Sequence, residues 1–403
     1  MKSHPSTTDI PHGFTFAATA CGLKKKGLDL GLLTSNATAT AAAVFTINHV
    51  QAAPVRVSRE HLKKSHHKIR GVIVNSGNAN CCTGLSGFAA SRKTAATLSR
   101  LLGCKRYQVL MCSTGVIGVP LRIEKILSAA PTLVKSRSSE PAGFDQFKRA
   151  IMTTDTHPKW AAAQFRIDGK QIRLLGCAKG SGMIAPNMAT MLGFLATDVD
   201  ISSSLLSRAL SAAVARTFNA ITVDGDTSTN DTVIVLANGQ SGARKITSEN
   251  GDYRMFLAAL EKVCKSLALA IISDGEGAQR VIEIEVRGAF SVAAADKIAR
   301  TIANSPLVKT AFAGADPNWG RILAAAGRAG VSFDPGKVDI ELAGIRVCQR
   351  GREHAFSERV AHRKMLTKHV TVVVDLHAGR GVARVWTCDF TAEYVRINAS
   401  YRT

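Results

Sequence analysis

Lys179-Gly180-Ser181-Gly182-Met183-Ile184-Ala185-Pro186-Asn187-Met188-Ala189-Thr190-Met191-Leu192 stands mid-chain between two strand-like stretches, Gln171–Cys177 and Met191–Thr197. A loop this rich in Gly, Pro and Asn can take up strained turns. Ala189-Thr190 then offers a self-cleavage chemistry. The Thr190 hydroxyl attacks the Ala189 carbonyl, an N-to-O acyl shift gives an ester, and water releases a new N-terminal threonine. The freed α-amine, with an ordinary pKa of about 7.7–8.0, serves as base for its own hydroxyl, so no histidine partner is needed. On these residues alone, an ordinary loop-to-strand junction is the plainer account.

Outward from this segment the same pattern of strand and small-polar loop recurs. Gly71–Asn75 runs into Ser76-Gly77-Asn78-Ala79-Asn80, and Gln108–Cys112 into Ser113-Thr114-Gly115-Val116-Ile117-Gly118. Asp231–Leu236 is a third strand, preceded by Asp224-Gly225-Asp226-Thr227. Short apolar runs bounded by Gly, Asn and Asp are strand signals, and their loops are where chemistry collects. Helices alternate with them. Phe88–Leu102 sets Leu98, Leu101 and Leu102 on one face, and Ser202–Phe218 repeats Leu206, Leu210, Val214 and Phe218 at i,i+4, with Ser202–Ser204 as capping candidates. Met255–Ile272 is a longer apolar-striped helix. The last third, with Val281–Val286, Val338–Cys348 and Val370–Leu376, is strand-rich, and the tail from Tyr394 to Thr403 reads as a docked strand. The order predicts α/β or α+β architecture with layered sheets. No Gly-rich phosphate loop supports a nucleotide-binding doubly wound sheet.

Composition narrows the function classes. Apolar residues make up 46% of the 403, enough for a sizeable core, and apolar runs such as Leu267–Ile272 are too short to span a bilayer. The formal charge of +22 invites a nucleic-acid reading. Yet the basic groups at Lys24–Lys26, Lys63–Arg70, Arg92–Arg106 and Arg346–Arg352 are scattered between apolar segments with few aromatics among them. A solvated basic face, or attraction to acidic metabolites, is the simpler account. Nine cysteines lie apart except for Cys81-Cys82, with no CxxC pair, so metal and disulfide frameworks are not expected. Small buried thiols in a reducing compartment fit better. With no secretory signal in Met1–Gly13, the expected location is cytoplasmic.

Three further segments bear on chemistry. Acyl transfer creates an oxyanion that needs preplaced donors. Ser113-Thr114-Gly115, at a strand end, can supply a hydroxyl and a backbone N–H, although taken alone an ordinary β-turn is the plainer account. Asp224–Asp231 has the spacing that opens a calcium loop, but the sixth position is Thr229 where Gly is needed and the twelfth is Val235 where Glu is needed. A hydrogen-bonded loop lining the site is preferred to a metal. Glu276, between Gly275 and Gly277, is free either to receive a substrate ammonium or to sit in a solvated turn. The eleven histidines show no HxxxH or HExxH spacing.

Taken in order, these motifs resemble the ornithine acetyltransferase family, the glutamate N-acetyltransferases of arginine biosynthesis. The resemblance covers essentially the whole chain. Lys179–Thr190 is its most specific part, and Val74–Asn80, Cys112–Gly118, Thr222–Asp231, Ala315–Arg321 and Asn398–Thr403 also match. It implies an α/β fold of layered sheets and helices, cut between Ala189 and Thr190 into an α chain (1–189) and a β chain (190–403) that stay together, usually as α2β2. By resemblance Thr190 is the nucleophile, Thr114 and Gly115 form the oxyanion hole, and Thr153, Lys179, Thr190, Glu276, Asn398 and Thr403 bind substrate, with Thr154 as the neighbour of Thr153. The implied reaction is ping-pong: N-acetyl-L-ornithine acetylates Thr190, and L-glutamate takes the acetyl group. No bound cofactor or metal is implied, and acetyl-CoA is a further candidate donor. No nucleic-acid or membrane partner is expected. Ala220, where Arg is expected, Cys81 in place of a more usual Ala, and the basic balance depart from the pattern. A self-cleaving amidase or aminopeptidase on a related scaffold is the competing reading.

Overall fold

The computed structural model describes residues 4–185 and 191–400. Ala189, Thr190 and Thr403 lie outside the described residues. A β-branched and aliphatic run, Thr232-Val233-Ile234-Val235-Leu236-Ala237, is buried at every position and forms a central strand. It is β8 of a larger sheet that also holds β1 (Phe14–Thr19), β2 (Leu30–Phe45), β3 (Lys68–Asn78), β4 (Val109–Val116), β5 (Lys159–Ile167), β6 (Lys170–Lys179) and β7 (Leu192–Thr197). The order across the sheet is β4-β3-β2-β8-β7-β6-β5, with β1 paired to β2 off this path.

Six helices accompany this sheet: α1 (Ala53–Lys64), α2 (Gly84–Leu101), α3 (Ile123–Lys135), α4 (Pro141–Ala150), α5 (Ser203–Arg216) and α6 (Gly251–Ser273). Alternate residues of β8 go to different clusters, as a period of two requires. Val233 and Val235 pack with Leu206 and Leu210 of α5 and Leu260 and Leu267 of α6. Ile234 and Leu236 pack with Phe144 and Phe147 of α4. Helices therefore cover both faces there. Leu98 of α2 and Leu133 of α3 join Ile73 and Met111 in a further cluster beside β3 and β4.

The last third builds a second sheet from β9 (Val281–Ala289), β10 (Asp339–Leu342), β11 (Ile345–Gln349), β12 (Arg352–Glu353), β13 (His369–Asp375) and β14 (Gly381–Cys388), ordered β12-β11-β10-β13-β9-β14. Its helices are α7 (Val292–Ala303), α8 (Pro306–Ala313), α9 (Trp319–Gly327), α10 (Glu358–Met365) and α11 (Ala392–Ser400). Ile282, Ile284 and Val286 of β9 meet Ile298 and Ile302 of α7 and Phe312 of α8. Val281 and Cys388 pack instead into the cluster of α5 and α6, and Ile221 bridges to Trp386, so the two sheets are joined. Among the described residues no helix is long and apolar enough to cross a membrane.

The layered α/β architecture is as expected, with four local corrections. The tail is helical from Ala392 to Ser400, not a strand. Its contacts come from Tyr394 and Asn398, four apart as on one face of a helix. An Arg396–Glu393 pair at 2.5 Å also adds support along the helix. Leu101 is exposed while Leu98 is buried, so the supposed stripe of α2 is narrower than read. Ser202 caps α5 by its backbone position, with no side-chain cap bond. Ser113-Thr114-Gly115 belongs to strand β4 and not to a turn. The expected division at 189/190 would run through the first sheet: β7 and β8 lie between β6 and β2, which come from the other side of it.

Candidate active site

Strand register brings the site together. Lys179 at the end of β6 pairs with Leu192 at the start of β7, and Leu192 pairs in turn with Thr232 at the start of β8. Ser76 and Thr114 are partners at the ends of β3 and β4. Between these strand ends opens a cleft with about 730 Å3 of open space. Thr114, Gly115, Thr153, Thr154, Lys179, Glu276 and Asn398 all line it, so every sequence-predicted site residue that is described faces one space.

Gly115 has φ +129°, and a side chain there would collide with the Gly77–Asn78 backbone, so glycine is required. Ser113 Oγ donates to Asn75 Oδ1 at 2.6 Å, and Asn230 Nδ2 reaches the carbonyls of Ser113 (2.8 Å) and Ala79 (2.7 Å). The strand ends flanking the donors are thereby fixed. Lys179 Nζ donates to Thr114 Oγ1 at 3.1 Å. That occupies a lone pair of the hydroxyl and leaves its proton free to point elsewhere, as an oxyanion donor needs. Burial pushes the Lys179 ammonium below its ordinary pKa against the opposing pull of Asp155, Asp231 and Glu276.

Glu276 follows α6. Its N–H donates to Ser181 O at 2.8 Å, and its carboxylate packs against Gly182, where a side chain would not fit. Asn398 Nδ2 donates to Glu276 Oε2 at 2.9 Å, which ties α11 to the cleft. Gly277, at φ +72°, leaves room for the Tyr394 backbone, and Thr391 Oγ1 donates to its carbonyl at 2.7 Å.

Beneath the cleft lies an ion network that sequence reading missed. Lys159 Nζ sits 2.6 Å from both Asp155 Oδ1 and Asp274 Oδ2, and all three side chains are buried. Asp155 also accepts the N–H groups of Thr153 (3.0 Å) and Gly180 (2.7 Å), and Asp274 accepts that of Thr156 at 3.0 Å. The network thus holds the 153–156 turn against the end of β6. Burial opposes ionisation of Asp155, but Lys159 and Lys179 outweigh it and hold the carboxyl at about 2. Asp274 lies 115 residues from Lys159 in sequence, so no local spacing announced the pairing.

Asp224, Asp226, Asn230 and Tyr394 also line the cleft. The 224–231 loop is hydrogen-bonded and lines the site, as preferred over a calcium loop. Asp224 accepts N–H groups from Met183, Ile184 and Asp226, and burial raises its carboxyl to about 6. Ala220 and Cys81, the two departures, are buried and do not line the cleft.

The model of the ArgJ family matches residues 15–403. The chain belongs to the ArgJ family. It is 45% identical over 398 residues to the arginine biosynthesis bifunctional protein ArgJ of Shouchella clausii, covering 99% of this chain and 96% of that one. The protein of the same name from Thermotoga neapolitana is 46% identical over 398 residues, covering 98% of this chain and all of that one. A crystal structure of the Bacillus halodurans ArgJ protein aligns with a TM-score of 0.50 at 44% identity, covering 52% of this chain and 98% of that chain. As a member of the ArgJ family the protein is an N-acetyltransferase whose acetyl transfer serves arginine biosynthesis.

Proposed function

We propose that the chain cuts itself between Ala189 and Thr190, and that Thr190 then carries an acetyl group from N-acetyl-L-ornithine to L-glutamate. The observation that carries this reading is the convergence of Thr114, Gly115, Thr153, Lys179, Glu276 and Asn398 on one cleft. That cleft also reaches Met183, seven residues before Thr190. In the first half-reaction Thr190 Oγ attacks the acetyl carbonyl, and the Thr114 hydroxyl and Gly115 N–H receive the oxyanion. Collapse releases ornithine and leaves an acetyl ester on Thr190. Glutamate then attacks that ester with its amine, in ping-pong order.

Lys179 supplies a cation for a substrate carboxylate, and Glu276, held by Asn398, an anion for an ammonium. Thr154 is engaged with Ser181 Oγ at 2.6 Å, which favours Thr153 as the hydroxyl turned to the ligand. Thr403 completes the substrate set by resemblance. Acetyl-CoA is a second donor on this reading, supported by the word bifunctional in the relatives' name.

Two chains, 1–189 and 190–403, would remain associated because β7 and β8 lie between β6 and β2 within one sheet. The Bacillus halodurans chain supports the cut: nearly all of it aligns to about half of this one. Assembly as α2β2 follows from the family resemblance, and nine free cysteines suit a reducing cytoplasm.

Intact-mass analysis of the wild type beside Thr190→Ala tests the reading. Two fragments splitting at Ala189/Thr190 in the wild type only, followed by acetyl transfer to glutamate, are expected. One uncut, folded chain in both sinks it. Release of free acetate from N-acetylornithine with no transfer to glutamate would favour the amidase reading.

A further inference from the structure

Cys81 and Cys82 are neighbours in space as well as in sequence: their Sγ atoms stand 3.8 Å apart. Both are free thiols, and they differ in access. Cys81 is 1% exposed, whereas Cys82 is the exposed thiol of the nine. The pair sits on a tight turn in which Asn80 and Cys82 have left-handed backbones, at φ +47° and +56°. A residue other than glycine keeps that conformation where its surroundings hold it there. Here Asn80 Nδ2 donates to the Gly87 carbonyl and to Ser91 Oγ, both at 3.1 Å, and Thr83 Oγ1 donates to Asn80 Oδ1 at 2.9 Å. The turn is therefore fixed from outside the pair, and in it the two sulfurs lie side by side.

The same turn abuts the strand that carries Thr114 and Gly115. Gly118 N–H donates to the Cys81 carbonyl at 3.0 Å, and Ala79 N–H donates to the Val116 carbonyl at 2.9 Å. Asn230 Nδ2 ties the Ala79 carbonyl to that of Ser113. These bonds flank Thr114 and Gly115 on both sides. Cys81 does not itself line the cleft, but Ala79, Ile117 and Thr229 do. Its Sγ donates to the Val50 carbonyl at 3.9 Å. Burial raises the Cys81 thiol above its ordinary pKa, and the Thr229 side chain beside it pulls the other way.

We propose that Cys81 and Cys82 form a redox modification site, which hydrogen peroxide closes into a disulfide between neighbours, and that closure lowers acetyl transfer. The step balances. Cys82 Sγ attacks one peroxide oxygen, the O–O bond breaks, and the departing oxygen takes the Cys82 thiol proton and leaves as water. Cys81 Sγ then attacks Cys82 Sγ, the S–O bond of the sulfenic acid breaks, and hydroxide takes the Cys81 proton as a second water. The thiols together lose two electrons and the peroxide gains them. The exposed Cys82 meets the oxidant, and Cys81 resolves it before a sulfinic acid can form. Closure draws the sulfurs from 3.8 Å to a bond of about 2.05 Å, so Cys81 Sγ leaves Val50 and the turn pulls on Gly118 and Val116. Displacing a catalytic group by about 1 Å costs on the order of 10²-fold in rate. Neighbouring Cα atoms lie about 3.8 Å apart, short of the roughly 4.4 Å or more usual across a disulfide, so the bridge is readily reduced again. The effect on transfer rests on the oxyanion role proposed for Thr114 and Gly115; closure of the bridge does not. Both cysteines precede the proposed cut, so the inference stands whether or not the chain is processed.

The test titrates the purified, reduced protein with hydrogen peroxide and blocks the remaining thiols with iodoacetamide. Mass spectrometry then reads the tryptic peptide 71–92, which carries both cysteines and no other. This peptide should lose two hydrogens and take up no label, while acetyl transfer falls in step by about tenfold or more. Dithiothreitol should restore both. Cys81→Ala cannot close the bridge, so its basal transfer should match the wild type and the same peroxide dose should leave it there. Cys82→Ser, changed at the surface, should behave likewise and decides if the buried substitution unfolds the protein. A sulfinic acid on Cys82 beside a still-labelled Cys81 would overturn the inference. So would an equal loss of transfer in the wild type and both variants. A fully bridged peptide with undiminished transfer overturns the effect on the cleft. Thr114→Ala assayed alongside separates that result from a failure of the oxyanion reading, which would leave this variant fully active.

Discussion

The two sheets differ in how much charge they bury beside the cleft. Around the first, cations and anions are taken out of water. Lys159 and Lys179 are nearly fully buried, with Asp155 and Asp274 beside them. On the second, most strand pairs lie at the surface: Arg384 with Glu285 at 2.6 Å, Arg346 with Glu341 at 3.0 Å, and Arg287 with Asp375 at 2.8 Å, with Arg280–Asp389 at 3.1 Å a buried exception. Desolvating an ion costs several kcal/mol, so a fold tolerates it where a fixed charge is needed at a stated place. Lys179 lines the cleft and the Lys159–Asp155–Asp274 network lies beneath it, while the surface pairs decorate β9, β10, β11, β13 and β14. The buried groups gathered around Lys179 are thus a better guide to the cleft than the overall charge of +22.

The contrast can be broken most directly with two substitutions compared in urea unfolding. Lys159→Met strands two buried carboxyls and should cost about 3–5 kcal/mol, whereas Arg384→Ala should cost under about 1 kcal/mol. Equal losses would show that burial does not set the value of these pairs. Next in size, Thr114→Ala should lower acetyl transfer by about 10²–10³-fold with the melting temperature little changed. Unaltered turnover would remove Thr114 from the oxyanion site.

A smaller effect sharpens the electrostatics through pH. The Asp155 carboxyl sits at about 2, below its unfolded value, so its stabilisation is present above about pH 4 and is lost as pH falls towards 2. It amounts to about 2 kcal/mol. Asp224, raised to about 6, has the opposite sign: its contribution is fullest below about pH 4 and is lost as pH rises through 6. Unfolding measurements on Asp155→Asn and Asp224→Asn across pH 3–7 should remove slopes of opposite direction. Slopes of the same direction would refute the assignment.

Much of the site could be read from the chain because its parts end strands. Small polar residues after Val72–Val74 and after Leu110–Cys112 mark the ends of β3 and β4, and the Gly-rich run after β6 marks the cleft. The i,i+4 repeat Leu206, Leu210, Val214 and Phe218 is buried as read, since a helical face needs only local periodicity. Helix α11 was misread for the complementary reason. Its sequence is ambiguous locally, and its helical form is accompanied by docking through Gly277, Glu276 and the ring stack of Phe390 on Tyr394 at 4.6 Å.

By itself the sequence determined the layered α/β class, the family and the six described residues that share the cleft, because strand periodicity, turn chemistry and ordered motifs are all encoded over short spans. Only the tertiary structure decided which charges are buried together. It placed Lys159 between Asp155 and Asp274, left one Asp231 oxygen without a partner among the described residues, and brought Tyr394 into the cleft. The reason is physical: desolvation and pairing depend on distance through space, and residues more than a hundred positions apart carry no local mark of it.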